Sequence, residues 1–320
     1  MKINIKKILK TILPIALGVF LVWYSYNSTS EEDRKQIIHY IKEANLFWVS
    51  VSILFGILSH FSRAIRWNYL IEPLGYKPKI CNNLLIILMA YFANLGIPRT
   101  GEILRATALT TYENVPFEQG FGTIVTERVI DVLMLLLFVT ITLFLQTDVI
   151  LGFIQEKGFN LNSIFLLIGV SILALVFFMF FIKKSTNAFA LKIKGFISGL
   201  LDGVLSIFKM KNKWAFVLHT LFIWFCYVAM LWVIKYSVPG TENLILSQLM
   251  VAFVAGTFAM AATNGGIGIY PIAISQALAL YGISEVSGNA FGWIMWISQT
   301  AMIVVFGAIS FLVLPLLNRK

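Results

Sequence analysis

LLIILMAYFANLGIPRTGEILR, residues 84–105, decides how this chain folds. Its first part, 84–97, is apolar but only fourteen residues long. A helix needs roughly 20 residues to cross a ~30 Å hydrocarbon core. Pro98 ends that first helix, because the residue before a proline is pushed out of the α region, and proline suits the first turn of a new helix. The second helix then carries Arg99, Glu102 and Arg105, which lipid rejects. Basic flanks on both ends put them on the same side. The stretch 83–111 therefore reads as a re-entrant helical hairpin, and a re-entrant hairpin requires a membrane.

The composition supplies one. Hydrophobic types make up 59% of the 320 residues and charged types 12%, against roughly 45–50% and 25% in soluble domains. Mean hydropathy is +0.85, which excludes disorder, and a soluble fold would lack the polar cover its surface needs. Two cysteines, Cys81 and Cys226, exclude a disulfide scaffold. The net charge of +10 does not indicate nucleic acid, because the bases lie in short clusters between apolar runs, as topology signals do.

Full spans are expected at about 8–26, 46–62, 121–146, 162–182, 214–236 and 288–316. The first ends in Tyr24-Ser25-Tyr26-Asn27 without a small-residue cleavage site, so it reads as a retained span rather than a signal peptide. Lys2, Lys6, Lys7 and Lys10 precede it; Arg63, Arg66, Lys77 and Lys79 follow the second span; seven lysines fill 183–213; Arg319 and Lys320 end the chain. The opposite side holds only Arg34, Lys35, Lys42, Lys157 and Lys235. The positive-inside rule places both termini in the cytoplasm of a bacterial-type inner-membrane protein. Segment 185–213, with apolar residues among lysines, reads as an amphipathic helix on the anionic inner leaflet or as an ordinary basic loop.

A second apolar region, 244–282, is interrupted at Thr263-Asn264-Gly265-Gly266-Ile267-Gly268, with a short helix expected from about Pro271. The expected fold is all-α and integral to the membrane: six full spans plus two broken or re-entrant hairpins, in one domain over 1–320. Its half-repeats cover about 1–150 and 160–320. Three spans per half is an odd number, so the second half is inverted. Inverted repeats with matching discontinuous helices are a transporter pattern; the alternative is a bundle whose Gly and Pro breaks are packing kinks.

Two clusters carry chemistry. Glu127-Arg128-x-x-Asp131 lies about 10 Å along its helix from the cytoplasmic edge at Phe121. Glu127 and Asp131 share a face. Charges at that depth must be paired or wetted, so Arg128 is expected buried and paired with Asp131, with Glu102 a candidate across helices; a purely structural ion network is the alternative. Pro98–Arg105 reads as an anion site, with free backbone N–H groups at a helix start and the forks of Arg99 and Arg105, tempered by Glu102; snorkelling arginines at the interface are the alternative. His39, His60 and His219 are scattered, and neither metal-ligand spacing nor a nucleotide-binding loop is present. No metal or cofactor is expected.

Arg66-Trp67 with Gly75, Asn94-x-x-x-Pro98-Arg99-x-Gly101-Glu102-x-x-Arg105, Glu127-Arg128-x-x-Asp131 and Asn264-Gly265-Gly266-Ile267-Gly268 occur in that order. Together they resemble the transmembrane, flippase-like region of the lysylphosphatidylglycerol synthase family over roughly 10–315. In two-function members of that family, the membrane part resembles a flippase for aminoacylated phosphatidylglycerol, and a separate soluble domain transfers the amino acid. With the chain ending at Lys320, the resemblance implies the translocating part without the transferase. An acidic residue commonly follows the glycine motif by three positions; Pro271 stands there, a departure from the family pattern that bears on specificity for a lysyl headgroup.

The expected function is binding and translocation of an anionic phospholipid, aminoacylated ones included, or of a lipid-linked phosphate. The expected site comprises Arg99, Glu102, Arg105, Glu127, Arg128, Asp131, Asn264, Gly265 and Gly266. The other classes are a membrane-embedded lipid-phosphate transferase with Glu127 or Asp131 as general base, and a lipid-binding scaffold that moves nothing. A homo-oligomer stays open.

Overall fold

A computed structural model describes residues 5–97, 100–156, 170, 173, 187, 191 and 210–319. All regular structure among the described residues is helical: α1 (Ile5–Ser28), α2 (Glu31–Lys42), α3 (Leu46–Ile71), α4 (Ile80–Gly96), α5 (Thr100–Glu113), α6 (Phe117–Leu145), α7 (Thr147–Glu156), α8 (Lys213–Ile234), α9 (Leu246–Ala262), α10 (Ile269–Ala279) and α11 (Glu285–Leu317). Four helices are long and apolar enough to cross a membrane, over Leu46–Leu74, Phe117–Leu145, Lys213–Ser237 and Glu285–Leu317. They coincide with the spans expected at 46–62, 121–146, 214–236 and 288–316. The span expected at 8–26 falls on α1, a helix of 24 residues. The span at 162–182 and the amphipathic segment 185–213 lie almost wholly outside the described residues.

The chain divides into two compact units, Met1–Ile124 with Asn212–Lys320, and Val125–Lys211. In the first, α3 lies along α8, while α11 packs against α10, α4, α2 and α3. Small residues allow the closest approaches, as is usual where helices associate without a hydrophobic drive. A Cβ on Gly292 would sit 2.5 Å from the Pro271 Cα, and one on Gly288 would sit 2.8 Å from the Ser275 Oγ. Farther along α11, a Cβ at Gly307 would meet the Phe92 Cβ at 2.4 Å. Small residues four apart, at 288 and 292, thus face α10.

One expectation needs correcting. The sequence places the end of the span at 62, where the arginines begin, with Arg63 and Arg66 following it. α3 continues to Ile71, and both side chains are buried, at 2% and 0% exposure. The helix runs on because these guanidinium groups find polar partners inside the bundle: Arg63 donates to the Tyr227 hydroxyl (2.9 Å) and Arg66 to the Thr220 Oγ1 (3.3 Å). Lys235, a base on the sparsely charged side, is likewise buried; its Nζ donates to the Leu244 carbonyl (2.7 Å) and lies 3.8 Å from the Trp232 ring centre.

The second unit contains the greater part of α6, from Val125, and α7. Val132, Leu136 and Phe144 are exposed along α6, a surface suited to hydrocarbon.

The candidate site at two broken helices

α4 stops because Ile97 turns extended (φ −128°, ψ 113°), and α5 begins at Thr100. The joint is fastened from inside. Asn94 Oδ1 accepts the Gly101 N–H at 2.7 Å, and the Thr100 hydroxyl donates to the Ile97 carbonyl at 2.7 Å. Position 101 must be glycine, since a Cβ there would lie 2.4 Å from the Ala90 carbonyl oxygen. From the sequence, the N–H groups of this helix start are expected to meet an anion. Two of them are already spent, Gly101 N–H on Asn94 and Thr100 N–H on the Ile97 carbonyl (3.3 Å). Pro98 and Arg99 lie outside the described residues.

Arg105 is buried at 3% exposure, with its guanidinium 4.1 Å from the centre of the Trp67 ring. Trp67 is held in turn by its Nε1–H, which donates to the Thr123 Oγ1 at 2.9 Å. Such a cation–π contact is worth about 2 kcal/mol when desolvated. Glu102 Oε2 is buried with no hydrogen-bond partner. An acceptor left in that state is costly and calls for an incoming donor.

The second break is built differently. After α9, a single 3-10 turn, Asn264–Gly266, leads into α10, which starts at Ile269 rather than at Pro271. Gly265, Gly266 and Gly268 have φ of 65°, 75° and 74°, a left-handed conformation that side chains resist. Gly268 also lets α1 close in, because a Cβ there would lie 2.6 Å from the Gly18 carbonyl oxygen. Trp296 Nε1–H of α11 donates to the Gly265 carbonyl at 2.7 Å. Asn264, 5% exposed, donates from Nδ2 to the Leu95 carbonyl at 2.6 Å. That bond joins the two breaks, since Leu95 lies in the last turn of α4.

In the second unit, Arg128 bridges both acids of its helix. Its Nη2 lies 3.1 Å from Glu127 Oε1 and its Nη1 3.8 Å from Asp131 Oδ2. The arginine was expected to be the buried member, with Asp131 its closer partner. Instead Glu127 is wholly buried, and the Arg128 side chain keeps 40% exposure. A long side chain can carry its charge outward toward a wetter edge, whereas the shorter glutamate stays near its backbone.

Sequence reasoning missed a polar belt around α3. His60 lies against Tyr91 with the rings tilted (centres 4.8 Å apart), and the Ser62 hydroxyl meets His219 Nδ1 at 2.8 Å. The available signal was spacing: 60, 63 and 67 fall on one helical face.

Broken helices meeting inside an α-helical bundle, with four helices of membrane length, define a multi-pass membrane protein. The chain belongs to the lysylphosphatidylglycerol synthase TM region family, whose description fits residues 11–307. It is similar to the UPF0104 membrane protein MJ1595 of Methanocaldococcus jannaschii, 32% identical over 39% of this chain and 36% of that protein. It is also similar to the glycosyltransferase AglD of Haloferax volcanii, 27% identical over 39% of this chain and 19% of that protein. The matches therefore span well under two thirds of either relative. No solved structure matches the chain.

Proposed function

We propose that the protein binds an anionic phospholipid or lipid-linked phosphate and carries it between the leaflets of a bacterial-type inner membrane. The observation that carries this reading is the Asn264–Leu95 hydrogen bond (2.6 Å) between two discontinuous helices. Transporters built from inverted repeats place their substrate at such a junction. In this reading the chain is one membrane domain of six spans, with both termini cytoplasmic. The hairpins α4–α5 and α9–α10 enter from opposite leaflets. The pairing of α3 with α8, equivalent elements of the two halves, is what a two-fold relation of the repeats predicts.

Arg99 and Arg105 take the phosphate. The unsatisfied Glu102 Oε2 accepts a donor from the headgroup. Asn264, Gly265 and Gly266 form the opposing gate, whose backbone can approach the lipid closely. Within its own unit, Arg128, oriented by Glu127 and Asp131, offers a further partly exposed guanidinium to anionic lipid.

A second reading, a membrane-embedded transferase with Glu127 or Asp131 as general base, is favoured by the glycosyltransferase name of one relative. Reconstitution into vesicles with fluorescent phosphatidylglycerol tests both. Lipid reaching the other leaflet unaltered supports translocation. A chemically altered lipid supports the transferase, and binding without either outcome leaves a scaffold.

A further inference from the structure

Between the end of α1, the start of α2, α10 and the start of α11 lies a cavity of about 360 Å³, at the lower end of the ~300–1,000 Å³ usual for ligand pockets. Its lining includes Tyr24, Ser28, Asp33, Gln276, Glu285 and Asn289, and none of its lining residues is Lys or Arg. Its back wall is closely packed. Ser275 Oγ donates to the Glu285 carbonyl at 3.3 Å, and α10 and α11 touch at Gly288. An anion has nothing to gain here. The starts of α2 and α11 are already capped by Ser30 and Ser284, with acids in their first turns.

The lining offers carboxylates, carboxamides and hydroxyls together. Asp33 Oδ2 accepts from the Ser30 hydroxyl (2.6 Å) and retains further lone pairs. Asn289 is steadied by donating to the Glu285 carbonyl (2.9 Å), which leaves its own carbonyl oxygen as an acceptor. An ammonium group would use the acceptors and leave the amide donors idle. A polyol both donates and accepts, and so uses the whole set. We propose that this cavity binds the hydroxyl-bearing, non-phosphate part of a lipid headgroup, glycerol or a sugar, on the outward side of the path. The inference rests on the lipid-binding reading above and adds the class of headgroup.

The test uses the full chain in phosphatidylcholine nanodiscs, titrated calorimetrically with dihexanoyl phosphatidylglycerol, dihexanoyl phosphatidylethanolamine and hexyl glucoside. The expected result is binding of the glycerol lipid, the glucoside or both, at least roughly tenfold tighter than the ethanolamine lipid, as a site built to hydrogen-bond hydroxyls discriminates. Binding of one polyol alone identifies its source. Gln276→Leu is expected to weaken polyol binding roughly tenfold at unchanged thermal stability. Glu285→Gln serves if that variant fails to fold. Equal binding of the ethanolamine lipid, or indifference of polyol binding to the variant, overturns the proposal. If translocation persists without headgroup discrimination, only this inference fails. If no lipid binds at all, the transport reading fails with it.

Discussion

The two broken hairpins share an outline and differ in chemistry. The α4–α5 joint is polar and charged, with Asn94 capping Gly101, Arg105 against Trp67 and an unsatisfied Glu102 oxygen. The α9–α10 joint has no charge. It is made of left-handed glycines, pinned by Trp296 and Asn264. Breaking a helix inside a membrane leaves backbone groups to satisfy, and they must be answered within the protein. The first joint answers with Asn94 and Thr100 of its own hairpin and with Asn264 from across the junction; the second borrows one donor from Trp296 and makes room for α1. The first is suited to hold a charged group, the second to let backbone approach closely.

The sharpest way to break this comparison is topological, because its outcome is all or none. In a Cys81→Ser background, which removes the exposed native thiol, cysteines at positions 32 and 156 should label from outside intact cells. Cysteines at 79 and 211 should label only after permeabilisation. Positions 79 and 156 on one face would overturn the proposed inverted relation of the hairpins.

Next in size is crowding at the second joint. Gly292→Leu would drive a side chain into the Pro271 backbone, 2.5 Å from where its Cβ falls, and overpacking of this kind costs about 3 kcal/mol. A large drop in the melting temperature of the detergent-solubilised protein is expected. Gly265→Ala should cost about 1–2 kcal/mol through its left-handed backbone. Gly96→Ala, at the end of α4 with open space around it, should cost nothing measurable. If the two alanine variants melt alike, the joints are not built on different principles.

Arg128→Ala should cost about 1–3 kcal/mol, because it takes one partner from the wholly buried Glu127 carboxylate. A melting temperature equal to that of the parent protein would show that other groups hold this carboxylate. Asn264→Ala removes the bond between the joints and should cost about 1 kcal/mol in stability. Its effect on lipid translocation should be proportionally greater than on melting. Arg105→Lys keeps a charge near Trp67 but loses the planar fork. Binding of phosphatidylglycerol should weaken while the fold survives.

Much of the architecture was legible because hydrocarbon imposes lengths and punctuation on sequence. Four spans, the stop before Pro98 and the break at 263–268 follow from apolar run length and from Gly and Pro. The extent of α3 was not legible. Arg63 and Arg66 read as loop charges until Tyr227 and Thr220, more than 150 positions away, supplied their partners. The family motifs marked Asn94, Gly101, Arg105 and Asn264 as a set, but not their jobs. That Asn94 caps Gly101, that Arg105 rests on Trp67 and that Asn264 reaches Leu95 depend on where helices cross.

By itself, then, the sequence determined that this is an α-helical membrane protein with two interrupted helices, because periodicity, length and breakers act locally along the chain. Which charge is buried at 127–131, which backbone donors remain for a ligand, and whether the two breaks touch were decided by tertiary packing. The cost of a charge or an unmet N–H is set by neighbours from distant segments, and no local pattern encodes their distance.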